Sequence, residues 1–293
     1  MEQIQLRARE HNIIENGEYV LKMRDLIKIS DMIKADAGIV VSKAKANLVY
    51  ARLAKRIRKL GLSDFSQYCD LVESDEGRFE RKEMIAALTT NVTGFFREAH
   101  HFEYLRRNIF PNLMRRAKEG ERIRLWSAAC SSGQEPYSMA MTLLKEFPDA
   151  SRYDIRVLAT DIDETILAVA ARGVYDSTMI TPIPDGLKQR YLKPCEDTQK
   201  NFKVVDEVRD LVAFRHLNLI GNWPMKAKFQ VVFCRNVVIY FDNETQEKLW
   251  SRFVEILDDN AVLCVGHSER VTGPAARHVV SAGVTSYVKK RHR

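Results

Sequence analysis

Three polar side chains follow a short apolar run in the last quarter of the chain. The run, residues 229–233, leads into Arg235, Asn236 and Tyr240. Apolar residues on both faces are typical of a strand inside a covered parallel sheet, and such sheets bind ligands beyond the carboxyl ends of their strands. The pattern therefore predicts an arginine, an amide and a phenol where an α/β enzyme does its chemistry. Alternatively, these groups only satisfy backbone groups at a strand end.

A second set of candidates follows another predicted strand, residues 123–128. Residues 126–137 are rich in small side chains, which let a ligand approach the backbone closely. The segment matches neither GxGxxG nor GxxxxGKS, so neither a dinucleotide nor a nucleoside triphosphate is indicated. Glu135 falls in the first turn of the next helix, beside the expected crevice. Alternatively, Glu135 only complements the helix dipole.

An acidic residue, Asp161, follows the next predicted strand, residues 155–159. A carboxylate in this place binds ribose hydroxyls in nucleotide-binding α/β folds, whereas Asp163 is expected to cap the following helix. A small-residue turn, an acidic residue after the second strand and no pyrophosphate-binding glycines together predict a mononucleoside cofactor. S-adenosylmethionine fits that description.

Upstream, residues 89–98 set Asn91, Thr93 and Arg97 among bulky apolar side chains. The alternative is a capped turn between domains. His100 and His101 are adjacent rather than four residues apart, so we expect no shared metal ion.

The elements that must position these residues change character along the chain. After a polar extension (1–20), residues 21–90 are predicted to form a helical domain with helices at 22–36, 43–60, 63–75 and 77–90. A linker and connecting helix fill 91–120. From 121 to 293, strands and helices alternate, which predicts an α/β fold with a doubly wound, mostly parallel sheet. Two strand-like runs, 201–205 and 211–215, predict an antiparallel hairpin in an inserted β subdomain at about 190–215.

Composition restricts the class of protein. The 293 residues are 45% hydrophobic, which is ordinary for a globular chain. They contain no run of 18 apolar residues, so we expect no membrane insertion. The first twenty residues carry charges throughout, and no secretory signal is expected. Five scattered cysteines favour reduced thiols and a cytoplasmic protein.

Basic charge is concentrated near the amino terminus. Residues 1–60 hold 13 Lys and Arg against 7 Asp and Glu, while the whole chain has a net charge of +7. This asymmetry predicts an acidic partner: protein carboxylates, nucleic acid or an anionic membrane surface. On the helix at 43–60, one face carries the predicted docking residues Lys45, Arg52, Lys55, Arg56 and Lys59. The alternative is a solvated basic face.

Six segments resemble, in order, those of the CheR family, the chemotaxis-receptor glutamate O-methyltransferases. They are TTNVTGFFREAHHF, WSAACSSGQEPYSMA, ATDID, LNL at 217–219, VVFCRNVVIYF, and VGHSE at 265–269. The segments lie between residues 89 and 269, and the resemblance covers about residues 20–289. The resemblance implies S-adenosylmethionine bound to a methyltransferase-type sheet, behind an all-helical domain and with a small antiparallel insertion.

The resemblance also implies roles for individual residues. Asp161 would hold the ribose, Asn218 and Leu219 would edge the adenine, and Arg97 and Tyr240 would be catalytic. The basic segment 43–59 would dock the cytoplasmic helices of chemoreceptors. In the family, the members that tether to a receptor's C-terminal pentapeptide carry glycines in the loop of the inserted hairpin. The matching residues here, 193–201, contain none, so direct docking is expected. The implied cofactor site comprises Asn91, Thr93, Arg97, Glu135, Asp161, Asn218, Leu219, Arg235 and Asn236.

The implied reaction agrees with the residues available. A glutamate side chain with a pKa of about 4.3 is already ionised near neutral pH, so no general base is needed, and Arg97 or Arg235 could align it. The product would be a glutamate methyl ester with S-adenosylhomocysteine. The alternatives are a methyltransferase acting on nucleic acid, favoured only by the basic amino terminus, and a non-catalytic sensor of the cofactor.

Overall fold

The structure, a computed structural model, describes residues 12–291 apart from residues 16 and 197. Most of the predicted polar extension, residues 1–11 and 16, lies outside the described residues. Backbone contacts divide the chain into two compact units, the first formed by Met1–Thr90 with Tyr240–Asp242 and the second by Asn91–Ile239 with Asn243–Arg293. Across the described part of the chain, no helix has the length and apolar character needed to cross a bilayer.

The first unit is helical, as predicted. Its described residues form the α-helices α1 (Met23–Ala37), α2 (Ala46–Leu60), α3 (Phe65–Glu73) and α4 (Arg78–Leu88), preceded by a small antiparallel pair, β1 (Asn12–Ile14) and β2 (Leu21–Lys22). Gly38 and Gly61 end α1 and α2 with φ of 73° and 68°, a left-handed conformation that glycine adopts without steric cost. The Asp64 side chain accepts a bond from Gln67 N at 2.8 Å and so caps α3. Apolar stripes on the helices, including Val49, Leu53 and Ile57, are fully buried.

The second unit contains a seven-stranded sheet with the order β11-β12-β10-β9-β3-β4-β8. The five strands from β10 to β8 are parallel, and β12 and β11 are antiparallel additions at one edge. All six residues of β9 are buried, as expected for a strand covered on both faces. The strands are β3 (Ile123–Ala128), β4 (Ile155–Asp161), β8 (Val212–His216), β9 (Phe229–Cys234), β10 (Leu257–Val265), β11 (Val279–Gly283) and β12 (Ser286–Lys289).

Helices accompany the sheet as its alternating pattern predicts. The connecting helix begins as α5 (His100–Tyr104), passes through a π-helical segment (Leu105–Ile109) and continues as α6 (Phe110–Lys118). Helix α7 (Gln134–Glu146) follows β3 and is buried on nearly every face, so its side chains form much of the core. The other helices are α8 (Glu164–Arg172), α9 (Asp185–Tyr191), α10 (Asp206–Arg209) and α11 (Asn243–Ile256).

A separate antiparallel sheet confirms the predicted insertion but not the predicted hairpin. Its strands are β5 (Val174–Asp176), β6 (Leu192–Cys195) and β7 (Thr198–Val204), in the order β5-β7-β6. The run 211–215, predicted to pair with 201–205, instead forms β8 and pairs in parallel with β4. That part of the prediction was wrong because alternating apolar residues indicate an extended segment and not its partner. Helix α10 lies between the two runs and redirects the chain to the main sheet.

Candidate active site

Most of the predicted cofactor residues lie near the carboxyl ends of the parallel strands of the second unit. Glu135 and Asp161 lie just after or at the ends of β3 and β4, Arg235 and Asn236 directly follow β9, and Asn218 and Leu219 follow β8. Because β9, β3, β4 and β8 are neighbouring parallel strands, their carboxyl ends lie side by side. The remaining three residues, Asn91, Thr93 and Arg97, belong to the segment that leads into α5.

The carboxylate of Asp161 is built into the turn between β3 and α7. Ser131 N donates to Oδ2 at 2.8 Å, and Asp163 N donates to Oδ1 at 3.1 Å. Burial raises the pKa of Asp161, and these two backbone donors partly offset that effect. A carboxylate offers about four acceptor sites, which is more than these two bonds occupy. The arrangement suits a ligand with two adjacent hydroxyls.

Asn91 is joined to the same turn. Its Nδ2 donates to Asp163 Oδ2 at 3.1 Å, while Ser131 Oγ donates to its backbone carbonyl at 3.0 Å. The sequence motif contains Ser131, but its role as a bridge between Asn91 and Asp161 was not predicted. Asp163 caps α8 by accepting from Thr165 N at 2.9 Å and Ile166 N at 3.1 Å, which confirms that expectation. Thr93 lies nearby in sequence and is partly exposed.

Arg235 is a buried ion-pair partner. Its Nε donates to Glu135 Oε2 at 2.7 Å, and its Nη1 donates to the carbonyl of Arg97 at 2.6 Å. Only 2% of its side chain is exposed. The other carboxylate oxygen of Glu135 accepts from Ser127 Oγ at 2.6 Å. The Arg235 guanidinium therefore holds protein groups together.

Arg97 itself is partly exposed. Its Nη1 donates to Val92 O at 2.9 Å, which folds the side chain back over its own loop. The backbone of that loop has two further supports, since Phe96 N donates to Ser138 Oγ at 3.0 Å and Arg235 holds Arg97 O. The guanidinium is thus presented from a backbone that is fixed independently of it.

Glu269 supports the turn after β9, and sequence reasoning assigned it no role. Its Oε2 accepts from Asn236 N at 2.8 Å and Gly266 N at 2.6 Å, and its Oε1 accepts from Val237 N and Val238 N at 2.8 and 2.9 Å. Burial raises the pKa of Glu269, and the four backbone donors oppose that effect. Asn236 adopts a left-handed backbone with φ of 60°. One carboxylate therefore joins the ends of β9 and β10; the only signal in the sequence was its place in the VGHSE motif.

The Asn218–Leu219 turn begins beside Asp161. Leu217 N donates to Asp161 O at 2.9 Å, and Ile220 N donates to Asn218 Oδ1 at 3.1 Å. Leu219 is buried, with 6% exposure. The predicted ribose residue and the predicted adenine residues are thus connected through one backbone hydrogen bond.

Three possible metal ligands, Glu98, His100 and His101, have ligand atoms within 4.8 Å of one another. The guanidinium of Arg235 lies beside two of them, with Nη1 3.1 Å from His101 Nδ1 and 3.7 Å from Glu98 Oε2. Its positive charge opposes the binding of a cation at this place. The expectation of no metal ion remains a prediction.

His101 is a buried, neutral imidazole. Its Nδ1 faces the donor Arg235 Nη1 and therefore accepts, so its proton is on Nε2, 2.9 Å from Thr285 Oγ1. Burial, together with the neighbouring Arg235, lowers the pKa of His101 to about 3. An ordinary histidine has a pKa of about 6.5, so the unfolded chain binds a proton that the folded protein excludes between these two values.

Acid should therefore destabilise the protein through His101. Stability is expected to fall as the pH drops below about 6.5, and the loss due to this group should reach about 2 kcal/mol at pH 5. Urea unfolding at pH 7.5 and pH 5 measures the change for the native protein and for His101→Gln, which cannot be protonated. The variant should lose less stability, and the exposed neighbour variant His100→Gln should behave like the native protein. Equal losses for native and His101→Gln would show that this imidazole does not exclude the proton.

Tyr240 belongs to the first, helical unit, although it follows β9 in the sequence. Its carbonyl accepts from Val40 N at 2.8 Å, and the Nζ of Lys45 lies 5.5 Å from the centroid of its ring. It is partly exposed. Its predicted catalytic role stays a prediction.

The basic face of α2 divides into exposed and engaged residues. Lys55 and Lys59 are exposed, as is Lys45 in the 3-10 turn (Lys43–Lys45) that precedes α2. Arg52 Nη1 instead donates to the carbonyls of Ala87 and Thr89 at 3.2 and 2.6 Å, where a cation complements the end of α4.

Arg56 is engaged more deeply. Its Nε and Nη2 form a bidentate pair with Glu80 at 2.8 and 2.6 Å, and its Nη1 donates to Glu83 at 2.7 Å. Only 16% of the Arg56 side chain is exposed. Tyr68 O–H donates to Glu80 Oε1 at 2.9 Å, so the network connects α2, α3 and α4. A sequence pattern cannot distinguish this arginine from a solvated one.

A doubly wound sheet, with an acidic residue at the end of its second strand and small residues in its first turn, defines an α/β fold of the methyltransferase type. Comparison of the sequence with known protein families agrees with this fold. Residues 91–287 match the SAM binding domain of CheR methyltransferase, and residues 24–89 match the all-alpha domain of CheR methyltransferase. The chain belongs to the CheR methyltransferase family.

Curated relatives cover most of this chain. A probable chemotaxis protein methyltransferase of Rhizobium etli is 49% identical over 257 residues, which is 87% of this chain and 96% of that protein. The chemotaxis protein methyltransferase of Escherichia coli is 40% identical over 245 residues, covering 83% and 82% of the two chains. That of Borreliella burgdorferi is 36% identical over 254 residues, covering 85% and 89%. The chain is thus similar to methyltransferases of chemotaxis along nearly its whole length.

Proposed function

We propose that this methyltransferase transfers a methyl group from S-adenosylmethionine to glutamate carboxylates on the cytoplasmic helices of chemoreceptors. One observation carries the cofactor part of the proposal. The carboxylate of Asp161, held by Ser131 N and Asp163 N, lies at the end of the second strand, and its backbone is bonded to the Leu217 turn. The chemoreceptor part rests on the relatives, whose names connect them with chemotaxis.

The polar and apolar groups of the proposed site suit an adenosyl group. Asp161 has acceptor sites for two ribose hydroxyls, and Leu219 and Asn218 offer an apolar contact and an amide to a purine. Asn91, Thr93, Glu135, Arg235 and Asn236 complete the proposed cofactor site, with Glu135 and Arg235 shaping it through their buried ion pair. The cofactor, when bound, supplies a methyl group on a sulfonium, which is a good leaving group.

In the proposed reaction the protein has to position the reacting groups, and it does not have to transfer a proton. A glutamate oxygen forms a bond to the methyl carbon, the carbon–sulfur bond breaks, and its electron pair stays on sulfur. The attacking carboxylate is already ionised near neutral pH, so no proton has to move. Arg97 is proposed to align this carboxylate by bidentate hydrogen bonds, because in-line placement of reacting atoms lowers the barrier strongly.

The test is a methylation assay with radiolabelled cofactor and membranes that contain chemoreceptors. We expect label on the receptor that mild base releases as methanol, since carboxyl methyl esters are hydrolysed readily. Asp161→Ala with the same membranes is the control and should incorporate little label at low cofactor concentration. Base-stable label, or label on added RNA or DNA instead of receptor, would contradict the proposal and favour the nucleic-acid alternative. Absence of turnover with intact cofactor binding would favour a sensor.

A second comparison in the same assay addresses the pentapeptide tether. A receptor lacking its last five residues should be methylated as well as the intact receptor, because residues 193–201 contain no glycine. Residue 197 in this segment lies outside the described residues. A large loss of methylation with the truncated receptor would show that this protein uses a tether after all.

A further inference from the structure

The turn that follows β8 is held from outside by Arg252 of helix α11. Arg252 Nη1 donates to Leu219 O at 2.7 Å, and its Nη2 donates to Gly221 O at 2.6 Å. Both arms of one guanidinium therefore bind carbonyls within three residues of the chain. Such a fork fixes two peptide groups relative to each other, which a lysine ammonium cannot do.

Trp223 completes this clamp. Its Nε1 donates to the same carbonyl, Leu219 O, at 3.1 Å, and the guanidinium of Arg252 lies 4.0 Å from the centroid of its ring. The ring in turn packs edge-on against Trp126 at 4.9 Å and lies 5.0 Å from Phe253. Trp126 is fully buried in β3. The clamp thus connects the turn to the core of the sheet.

The clamped segment is the one to which the proposed function assigns the adenine. Within it, Asn218 is shaped by two local bonds: its Oδ1 accepts from Ile220 N, and its carbonyl accepts from Gly221 N, each at 3.1 Å. The turn starts at Leu217, which is bonded to the backbone of Asp161. A shift of Leu219 or Gly221 would therefore move Asn218 relative to Asp161.

We infer that Arg252 and Trp223 are positioning residues for the purine end of the cofactor site. They act through the backbone of Leu219 and Gly221, and their role is to keep Asn218 and Leu219 in place for adenine. This inference rests on the proposed function, because it assumes that the cofactor carries an adenosyl group. Neither residue belongs to the motifs that identified the family.

The inference predicts a loss of affinity that is specific to the base. Arg252→Ala removes two hydrogen bonds from a charged donor, and we expect S-adenosylhomocysteine to bind about tenfold more weakly. The turnover number at saturating cofactor should stay within about twofold, because the reacting groups are elsewhere in the site. Arg252→Lys keeps the charge but not the fork, so it should recover only part of the affinity.

Calorimetry with two probes separates a positioning role from a structural one. S-inosylhomocysteine carries hypoxanthine in place of adenine and the same ribose. The native protein should prefer the adenine compound, and Arg252→Ala should lose most of that preference. Lys248→Ala, one turn earlier on α11 and exposed, is the matched control and should bind both probes like the native protein. Asp161→Ala should bind both probes about ten- to a hundredfold more weakly.

The outcomes are distinguishable. Native-like affinity and preference in Arg252→Ala, with weakened binding in Asp161→Ala, would overturn the clamp and leave the proposed function standing. Native-like binding by both variants would overturn the placement of the cofactor itself. If Arg252→Ala fails to fold, Arg252→Lys and Trp223→Phe, which keeps the ring and removes the donor, give the same comparison. Equal weakening for both probes would mean a general structural role and contradict the inference.

Discussion

Replacement of Arg97 by alanine is expected to lower methyl transfer to the receptor about a hundredfold at saturating cofactor. Cofactor affinity should change far less, by no more than about threefold. The loss follows from the role proposed for the guanidinium, which is to hold the substrate carboxylate in line with the methyl group. Misplacement of a reacting group by about 1 Å is enough for a rate loss of this size.

Alignment, rather than charge stabilisation, accounts for the expected effect. During the reaction a negative carboxylate and a positive sulfonium neutralise each other, so a fixed cation stabilises the ground state more than the transition state. An arginine that bound the carboxylate too tightly would slow the reaction. One Nη of Arg97 already donates to Val92 O, which limits the number of donors that it can offer to a substrate.

The substitution should leave the loop intact. Its backbone is held by Ser138 Oγ at Phe96 N and by Arg235 at Arg97 O, neither of which involves the Arg97 side chain. Arg97→Lys should recover little, because an ammonium lacks the planar fork. Single-turnover rates and calorimetric affinities measure the two quantities separately. Native transfer by Arg97→Ala would rule out the catalytic role, and an equal loss of affinity would make Arg97 a binding residue only.

Tyr240→Phe provides the companion measurement. The variant keeps the ring that lies beneath the ammonium of Lys45 and removes only the hydroxyl. A lowered rate with retained cofactor binding would therefore assign the hydroxyl itself a role in methyl transfer. An unchanged rate would remove Tyr240 from the catalytic set.

Reversal of two exposed charges on α2, Lys55→Glu with Lys59→Glu, is expected to reduce receptor methylation at low receptor concentration about tenfold or more. Each exposed ion pair contributes only about 0.2–1 kcal/mol, but reversal replaces each attraction with a repulsion. Cofactor affinity should remain native, because the two lysines belong to the helical unit. The native enzyme should also bind receptor more weakly as salt rises, since exposed charges are screened over about 8–10 Å at physiological ionic strength.

The choice of residues follows from the structure. Arg52 and Arg56 belong to the predicted docking face, yet a glutamate at position 56 would meet Glu80 and Glu83 and break a partly buried network. Loss of one partner from such a pair destabilises a fold strongly, which would mimic a docking defect. Lys45→Glu is better tested separately, because its ammonium lies over Tyr240.

The matched control reverses two exposed lysines of the second unit, Lys145 and Lys226. It changes the net charge at least as much and should methylate receptor like the native enzyme. A similar loss in control and test variants would indicate a nonspecific charge effect. Native-like methylation by the test variant, together with salt-independent binding, would leave the α2 lysines as an ordinary solvated surface.

The sequence alone determined the features that depend on neighbouring residues. The apolar runs of β3, β4 and β9, the Asp163 cap and the four helices of the first unit are encoded within short windows. Because parallel strands end on the same side of a sheet, the alternating pattern was enough to predict that Glu135, Asp161 and Arg235 lie near the carboxyl ends of its strands, where the structure has them. The ordered motifs also identified the family that the comparisons confirm.

Only the tertiary structure decided which of these residues are available. Arg235 and Arg56 resemble exposed arginines in sequence, yet each is held by carboxylates that are far along the chain: Glu135 in one case, Glu80 in the other. The sequence likewise could not predict the pairing of β8 with β4. Nor could it predict that Glu269 and Arg252 hold the turns that follow β9 and β8. The reason is physical: helix and strand periodicity are local, whereas burial, charge pairing and strand partners depend on contacts between residues that only folding brings together.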